Sequence, residues 1–466
     1  MIRWMAIRWR LWVAFALLGA GCVWGWQALV LPQRPHMPEP YSQGWGVDGV
    51  DSYNSRWWRP VRSVRRKGRS QSVAFTPVAN RQILWGTVCT GDLDGDGSNE
   101  LVCGAEDGSL SVLDENGRSR VRKRMAEGWA LHGAMDVDGD GRDEAVVSVQ
   151  QGVGRRFDLL GLSGNRMRLV KSLDLRPRAF RSFAPAQVEH VEACCVICDR
   201  SGNGAGGGPT IIVGWDLAGR RDPSDSNSGW RDRRVCAYEA ATSEELWSHA
   251  LGPRVDSLAV GDIDGDGFPE VLVGTNSIAN GYESNGTDDS HVYLIALRHD
   301  GRLLWRTRPL GGYFLGAVVC LAQLHGDGRP EIIAAVSGGH PQRDDHGALY
   351  LLDARSGGVD RTYECGYSLV ETAVGDVSGD SRVEIVTGGR DGLVRVFDGK
   401  LRPQHSIPLR APAYVQAVAD LDRDGKAEIV AITSDWRVVV VDCSPGYPSP
   451  TLSEFQFCAG ASPSTY

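Results

Sequence analysis

Short apolar runs bounded by turn residues recur between about residues 85 and 445. One set reads ELVCG, EAVVSV, TIIVG, EVLVG, EIIAAV, EIVTGG and EIVAIT. A second run often follows within the same unit: SLSVLDENG, RVCAYEAATS, HVYLIALRHDG, ALYLLDARSG, LVRVFDG and RVVVVDC. An apolar stretch precedes the first run, and some units add a third segment such as ELWSHAL or LLWRTRPL. Short runs rich in Val, Ile and Leu between turn residues predict strands. No segment beyond the N-terminal stretch keeps a 3.6-residue apolar period for three turns, so no helix is predicted there.

An acidic segment sits between the first two apolar stretches of each unit. GDLDGDGSNE at 91–100 returns as AMDVDGDGRDE at 134–144, VGDIDGDGFPE at 260–270 and VADLDRDGKAE at 418–428. LAQLHGDGRPE at 321–331, VGDVSGDSRVE at 374–384 and CDRSGNG at 198–204 are eroded copies. The loops begin at Asp92, Asp136, Asp199, Asp262, Gln323, Asp376 and Asp420, spaced by 44 to 63 residues. A recurring unit of this size marks a repeat architecture. Four short strands in each of seven units predict an all-β, seven-bladed β-propeller over residues 71–466. The last unit is short of a strand, and both QSVAFTPVA (71–79) and TLSEFQF (451–457) are candidates to complete it.

Like charges at this density call for a cation. An EF-hand loop carries ligands at positions 1, 3, 5 and 12. Position 12 is Cys103, Val147, Val273 and Ala431 in the best copies, whereas position 9 is Glu100, Glu144, Glu270 and Glu428. Hard oxygen donors on a glycine-rich turn suit Ca²⁺. The pattern D-h-D-x-D-G-x-x-E between strands resembles the calcium loops of FG-GAP/VCBS repeats, as in the integrin α-chain propeller, although FG and GAP tripeptides are not evident. Some second runs also look like quinoprotein-type propeller blades. The resemblance implies a propeller, structural calcium and an interaction role. Carried over, it implies four complete sites. They are Asp92, Asp94, Asp96 and Glu100; Asp136, Asp138, Asp140 and Glu144; Asp262, Asp264, Asp266 and Glu270; and Asp420, Asp422, Asp424 and Glu428. A weaker fifth comprises Asp376, Ser378, Asp380 and Glu384, with Ser381 where glycine belongs. The loops at Gln323 and Asp199 are expected to be empty.

The N-terminus changes the picture of location. Arg3, Arg8 and Arg10 in residues 1–10 precede an uncharged stretch of 21 residues, 11–31, flanked by tryptophans and ended by Pro32 and Pro35. That length crosses a hydrocarbon core of about 30 Å. The arginine bias puts the N-terminus in the cytoplasm and the rest outside. A cleaved secretory signal, or lipidation at Cys22 in GAGC, is the competing reading, and either also exports the chain. Residues 32–70 read as a linker, basic and rich in tryptophan. The net charge of -8 argues against a nucleic-acid binder. Eleven cysteines show no framework spacing. CCVIC at 194–198 reads as strand cysteines more readily than as a metal site. Cys89 and Cys103 flank the first acidic loop, where a hairpin would allow a disulfide.

Loops joining second to third strands lie at the other end of each sheet from the acidic loops. Long insertions gather there, at 215–234, 276–291 and 338–347. Arg221, Trp230, Arg231 and Tyr282 are the contact types expected of a protein or glycan site. Neutral surface insertions are the plainer alternative. No G-x-S-x-G or H-E-x-x-H motif occurs. An interaction module is therefore the leading reading, ahead of a quinoprotein-like or hydrolytic enzyme and of a docking scaffold in an envelope assembly complex.

Overall fold

The computed structural model describes residues 83–455, apart from 97–99, 106–108, 114–118, 127–128, 152–153, 179–187, 200–208, 220–230, 313–314, 326–329, 339–345, 365–368, 410, 420–426, 434–437 and 443–450. The expected membrane segment at 11–31, the linker and the strand candidate at 71–79 lie outside the described residues. No helix among the described residues is long and apolar enough to cross a membrane.

The first sheet runs β1 (Ile83–Gly91), β2 (Glu100–Ala105), β3 (Ser109–Leu113) and β4 (Ser119–Arg124). The second is β5 (Ala130–Met135), β6 (Glu144–Gln151), β7 (Gly154–Ser163) and β8 (Arg166–Leu173). The third is β9 (Val188–Asp199), β10 (Pro209–Gly219), β11 (Arg231–Glu239) and β12 (Glu245–Leu251). The fourth has β13 (Arg254–Gly261), β14 (Glu270–Asn276), β17 (Leu294–Leu297) and β18 (Leu303–Arg306). A small hairpin, β15 (Glu283–Ser284) and β16 (Thr287–Asp288), interrupts it. The fifth has β19 (Leu315–Ala322), β20 (Glu331–Gly338), β21 (His346–Leu352) and β22 (Val359–Glu364), joined to the fourth through the pair Asn276–Gly316. The sixth is β23 (Leu369–Gly375), β24 (Glu384–Gly389), β25 (Leu393–Phe397) and β26 (Pro403–Pro408). The last is β27 (Ala413–Ala419), β28 (Glu428–Thr433), β29 (Val438–Asp442) and β30 (Thr451–Phe455). The C-terminal candidate supplies the fourth strand of that sheet, as Thr451–Phe455 paired with β29.

Every sheet is an antiparallel meander, and the first strands of successive sheets touch in chain order from β1 to β27. This stacking explains why the second strands read as nearly continuous apolar runs. Successive strand residues point to opposite faces, and here both faces are covered. In β10, Ile211 and Val213 pack toward the second sheet while Ile212 packs toward the fourth. In β20, Ile332, Ala334 and Val336 join the core with the fourth sheet, and Ile333 and Ala335 the core with the sixth. Each fully buried Val, Leu or Ile contributes roughly 1.5–3 kcal/mol.

Neighbouring sheets approach closely at a glycine ending the second strand's apolar run. A Cβ on Gly274 would stand 2.2 Å from the carbonyl oxygen of Ala317 in the next sheet, and one on Gly388 would stand 2.2 Å from that of Ala413. Outer strands clamp the following sheet as well. Trp247 Nε1 donates to the His299 carbonyl at 2.8 Å, and Trp305 Nε1 donates to that of Ala354 at 2.8 Å.

The register of β1 and β2 sets Cys103 opposite Val88 and Cys89 opposite Val102. The two cysteines expected to face each other are thus offset by one position. CCVIC lies wholly within β9.

Candidate metal centre

Each acidic loop joins the first strand of its sheet to the second, so the antiparallel pairing draws its two ends together. Gly261 pairs with Glu270 in the fourth sheet and Gly91 with Glu100 in the first. The turn closes on its own first aspartate. Asp262 Oδ1 accepts the amide of Gly265 at 2.6 Å, and Oδ2 accepts that of Gly267 at 3.0 Å. Asp136 does the same for Gly139 and Gly141, at 2.7 and 2.9 Å. Positions 4 and 6 take left-handed backbone, with φ of 83° and 87° at Gly265 and Gly267. Ser381 occupies position 6 of its loop at φ 65°, a conformation that costs any residue with a Cβ.

The position-9 glutamate is buried in five copies, as Glu100, Glu144, Glu270, Glu384 and Glu428, and half-buried as Glu331 in the loop at Gln323. Its Oε2 accepts the amide of position 2, from Leu93, Val137, Ile263 and Val377, at 3.0 Å in all four. The eroded loop at Gln323 keeps this bond between Leu324 and Glu331 at 2.7 Å. The glutamate therefore ties the hairpin with one oxygen whether or not the other acids are present.

The second oxygen is where the loops differ. Glu270 is 1 % exposed, and its Oε1 has no hydrogen-bond partner. An oxygen buried this way is costly unless a cation or donor meets it. Glu100 Oε1 instead accepts from Arg120 at 2.8 Å, and the same guanidinium meets Asp94 at 2.6 Å. Arg298 reaches Asp264 at 3.0 Å. Burial, reinforced by neighbouring aspartates, raises Glu100, Glu144, Glu270 and Glu384 to about 7.

The structure brings carboxylate oxygens of Asp92, Asp94 and Asp96 within 4.8 Å of one another, and likewise those of Asp136, Asp138 and Glu144 and of Asp262, Asp264 and Glu270. Asp140 is exposed, and its Oδ1 accepts the amide of Arg142 at 2.9 Å. Asp420, Asp422 and Asp424 lie outside the described residues. In the loop at Asp376, Ser378 Oγ sits 3.5 Å from Asp376 and 3.4 Å from Glu384, so a hydroxyl stands where a carboxylate would add charge. All-oxygen donor sets with a buried glutamate fit a hard divalent cation.

Arg120 and Arg298 escaped the sequence reading because each comes from elsewhere in its sheet, 20 residues after Glu100 in one case and 34 after Asp264 in the other. Asp143 escaped it too. Its Oδ2 accepts the Asp92 amide at 2.8 Å, tying the second acidic loop to the first.

At the opposite end of the sheets, the 276–291 insertion is folded. Arg233, fully buried on β11, pairs with Asp216 and Asp289 at 3.1 Å each and donates to the carbonyl of Gly252 at 2.7 Å. Asp289 in turn accepts the amides of Asn280 and Gly281 at 3.2 and 3.0 Å. The Tyr282 ring lies 5.4 Å from the Arg233 guanidinium, so this expected contact residue is half-buried against the pin that holds its own loop. Arg221 and Trp230 lie outside the described residues, as does the side chain of Arg231.

A family model described as FG-GAP repeat matches residues 84–121 and 255–295, each spanning an acidic loop and its flanking strands. The chain carries FG-GAP repeats on a β-propeller fold. Its sheets are accordingly blades. No curated protein matches the chain by sequence. Among solved structures, BBS1N in complex with ARL6DN aligns with TM-score 0.50 at 17% identity, over 77% of this chain and 92% of that one. The Dos1 propeller aligns with TM-score 0.45 at 13% identity, over 78% of each chain. A europium-containing methanol dehydrogenase aligns with TM-score 0.45 at 13% identity, over 80% of this chain and 74% of that one. At such identity the likeness concerns fold, and function rests on the sites.

Proposed function

We propose that this chain is a membrane-anchored, extracytoplasmic propeller of seven blades, stapled by calcium, that binds a protein or glycan and is not an enzyme. Calcium is assigned to the loops beginning at Asp92, Asp136, Asp262 and Asp420, with a weaker site at Asp376. The unpartnered, buried Oε1 of Glu270 supports that assignment. The anchor rests on residues 11–31 and the arginines before them.

The observation that carries the binding role is the pinned insertion. A neutral surface loop needs no fully buried arginine, yet Arg233 ties residues 280–289 to two strands of the preceding blade. A rigid loop displayed on a scaffold spends little entropy when a partner docks. BBS1N was crystallised with a protein partner, ARL6DN, which accords with such a role. The test is crosslinking of the full chain in its native membrane, compared with a chain whose residues 220–230 are replaced by a short glycine turn. The reading expects a crosslinked partner that disappears in the variant while its melting temperature holds. Identical crosslinks in both chains would remove this face from the account.

A further inference from the structure

We infer that the acidic loop of the fourth blade also holds a divalent transition metal of the zinc class, through Asp266, Glu270 and His299. The inference rests on the reading of these loops as cation sites. Ligand atoms of Asp266, Glu270 and His299 lie within 4.8 Å of one another. One polar atom on each of two of these residues is buried without a hydrogen-bond partner, Glu270 Oε1 and His299 Nδ1. Glu270 cannot turn away, because its Oε2 is held by the Ile263 amide at 3.0 Å.

The imidazole is set from three sides. The turn from Arg298 to Gly301 closes on itself through the Gly301 amide and the Arg298 carbonyl, at 2.8 Å. Trp247 of the third blade holds the His299 carbonyl at 2.8 Å, and His249 of that blade lies 3.2 Å from the Gly301 carbonyl. Phe268, inside the acidic loop, lies against the ring with centroids 4.7 Å apart and planes at 30°. The site thus uses side chains of one blade in a frame closed by its neighbour.

Donor chemistry separates the two ions. Calcium takes six to eight oxygen ligands, and an imidazole nitrogen offers it little. Zinc and its neighbours accept imidazole together with carboxylate, commonly with three protein ligands. Glu270 belongs both to this set and to the group with Asp262 and Asp264. Occupation by one ion therefore weakens the other, and the fourth blade becomes the loop whose calcium responds to transition metals.

The test titrates Co²⁺ into detergent-solubilised full chain stripped of calcium, reading the visible absorption of the ion and its displacement by Zn²⁺. Wild type, His299→Ala and Asp262→Ala are compared. The expected result is one Co²⁺ that Zn²⁺ displaces and excess calcium weakens. His299→Ala lowers the Co²⁺ affinity at least about tenfold and alters the spectrum, while calcium stoichiometry stays that of wild type. Asp262→Ala loses one calcium and keeps the Co²⁺ spectrum. An unchanged Co²⁺ affinity and spectrum in His299→Ala would overturn the inference, as would no specific Co²⁺ in wild type. If His299→Ala melts the turn, His299→Asn reads the same difference. Failure of the calcium reading looks different: none of the three proteins binds calcium, yet Co²⁺ uptake still depends on His299.

Discussion

Glu144, Glu270 and Glu384 each bind a backbone amide with one oxygen while burial raises the carboxyl to about 7, against an ordinary value of 4.5. Between those values the folded, ion-free chain holds protons that the unfolded chain has lost. The contribution of these glutamates to its stability is therefore full below pH 4.5 and is lost as pH rises through 7. On the proposed reading, bound calcium reverses the preference by favouring the ionised form. The stabilisation given by calcium should grow from pH 5 to pH 8 in thermal melts, and an increment independent of pH would mean that these glutamates are not ligands. Ser381 offers a second check. Its φ of 65° is strain that glycine avoids, so Ser381→Gly should stabilise the chain by about 1 kcal/mol and tighten calcium at that loop. Equal stability by denaturant titration would show that the strain is not felt. The position-9 acid was legible because it recurs at fixed spacing. What surrounds its second oxygen was not, since Arg120, Arg298 and His299 are brought near the acidic loops by pairing and stacking that no local pattern announces.

Strands were the most legible elements, and the reason lies in their burial. A second strand covered on both faces reads as a continuous apolar run, as Val271, Leu272 and Val273 do within Glu270–Asn276, a strand buried throughout. The glycine in that strand marks the blade contact, so Gly274→Ala should cost about 1–3 kcal/mol. A stability equal to wild type in urea would mean that the blades sit further apart than described. Pairing register was less legible. One position separates Cys89 and Cys103 from being opposite each other, and strands covered on both faces lack the apolar–polar alternation that would mark the register. The end of the chain was ambiguous for a similar reason, because two β-prone segments suited the last blade and only the pairing of β29 with β30 selects Thr451–Phe455. The pin at Arg233 had no sequence signal at all. Its partners Asp216, Asn280 and Asp289 come from two blades. Arg233→Ala would strand two buried carboxylates, and a loss of about 3–5 kcal/mol is expected. Melting unchanged by that substitution would mean that the insertion is not fastened as described.

The molecule as a whole repeats one bargain between fold and charge. Each blade buries apolar faces against its neighbours, and the hairpin that starts its apolar run gathers acids at one end. The opposite end is free to vary, and the insertions accumulate there. The proposed division of labour makes calcium structural and leaves recognition to the other face, so calcium bound only by the folded state must stabilise it. Each site contributes about 2.7 kcal/mol when calcium stands a hundredfold above its dissociation constant. The most direct measurement is thermal unfolding of the purified full chain in saturating calcium and in excess chelator, with bound calcium counted on the same sample. The account predicts three to five bound calcium ions and a melting temperature on the order of 5–10 °C lower in chelator. An unchanged melting temperature, with no calcium retained after gel filtration, would contradict it.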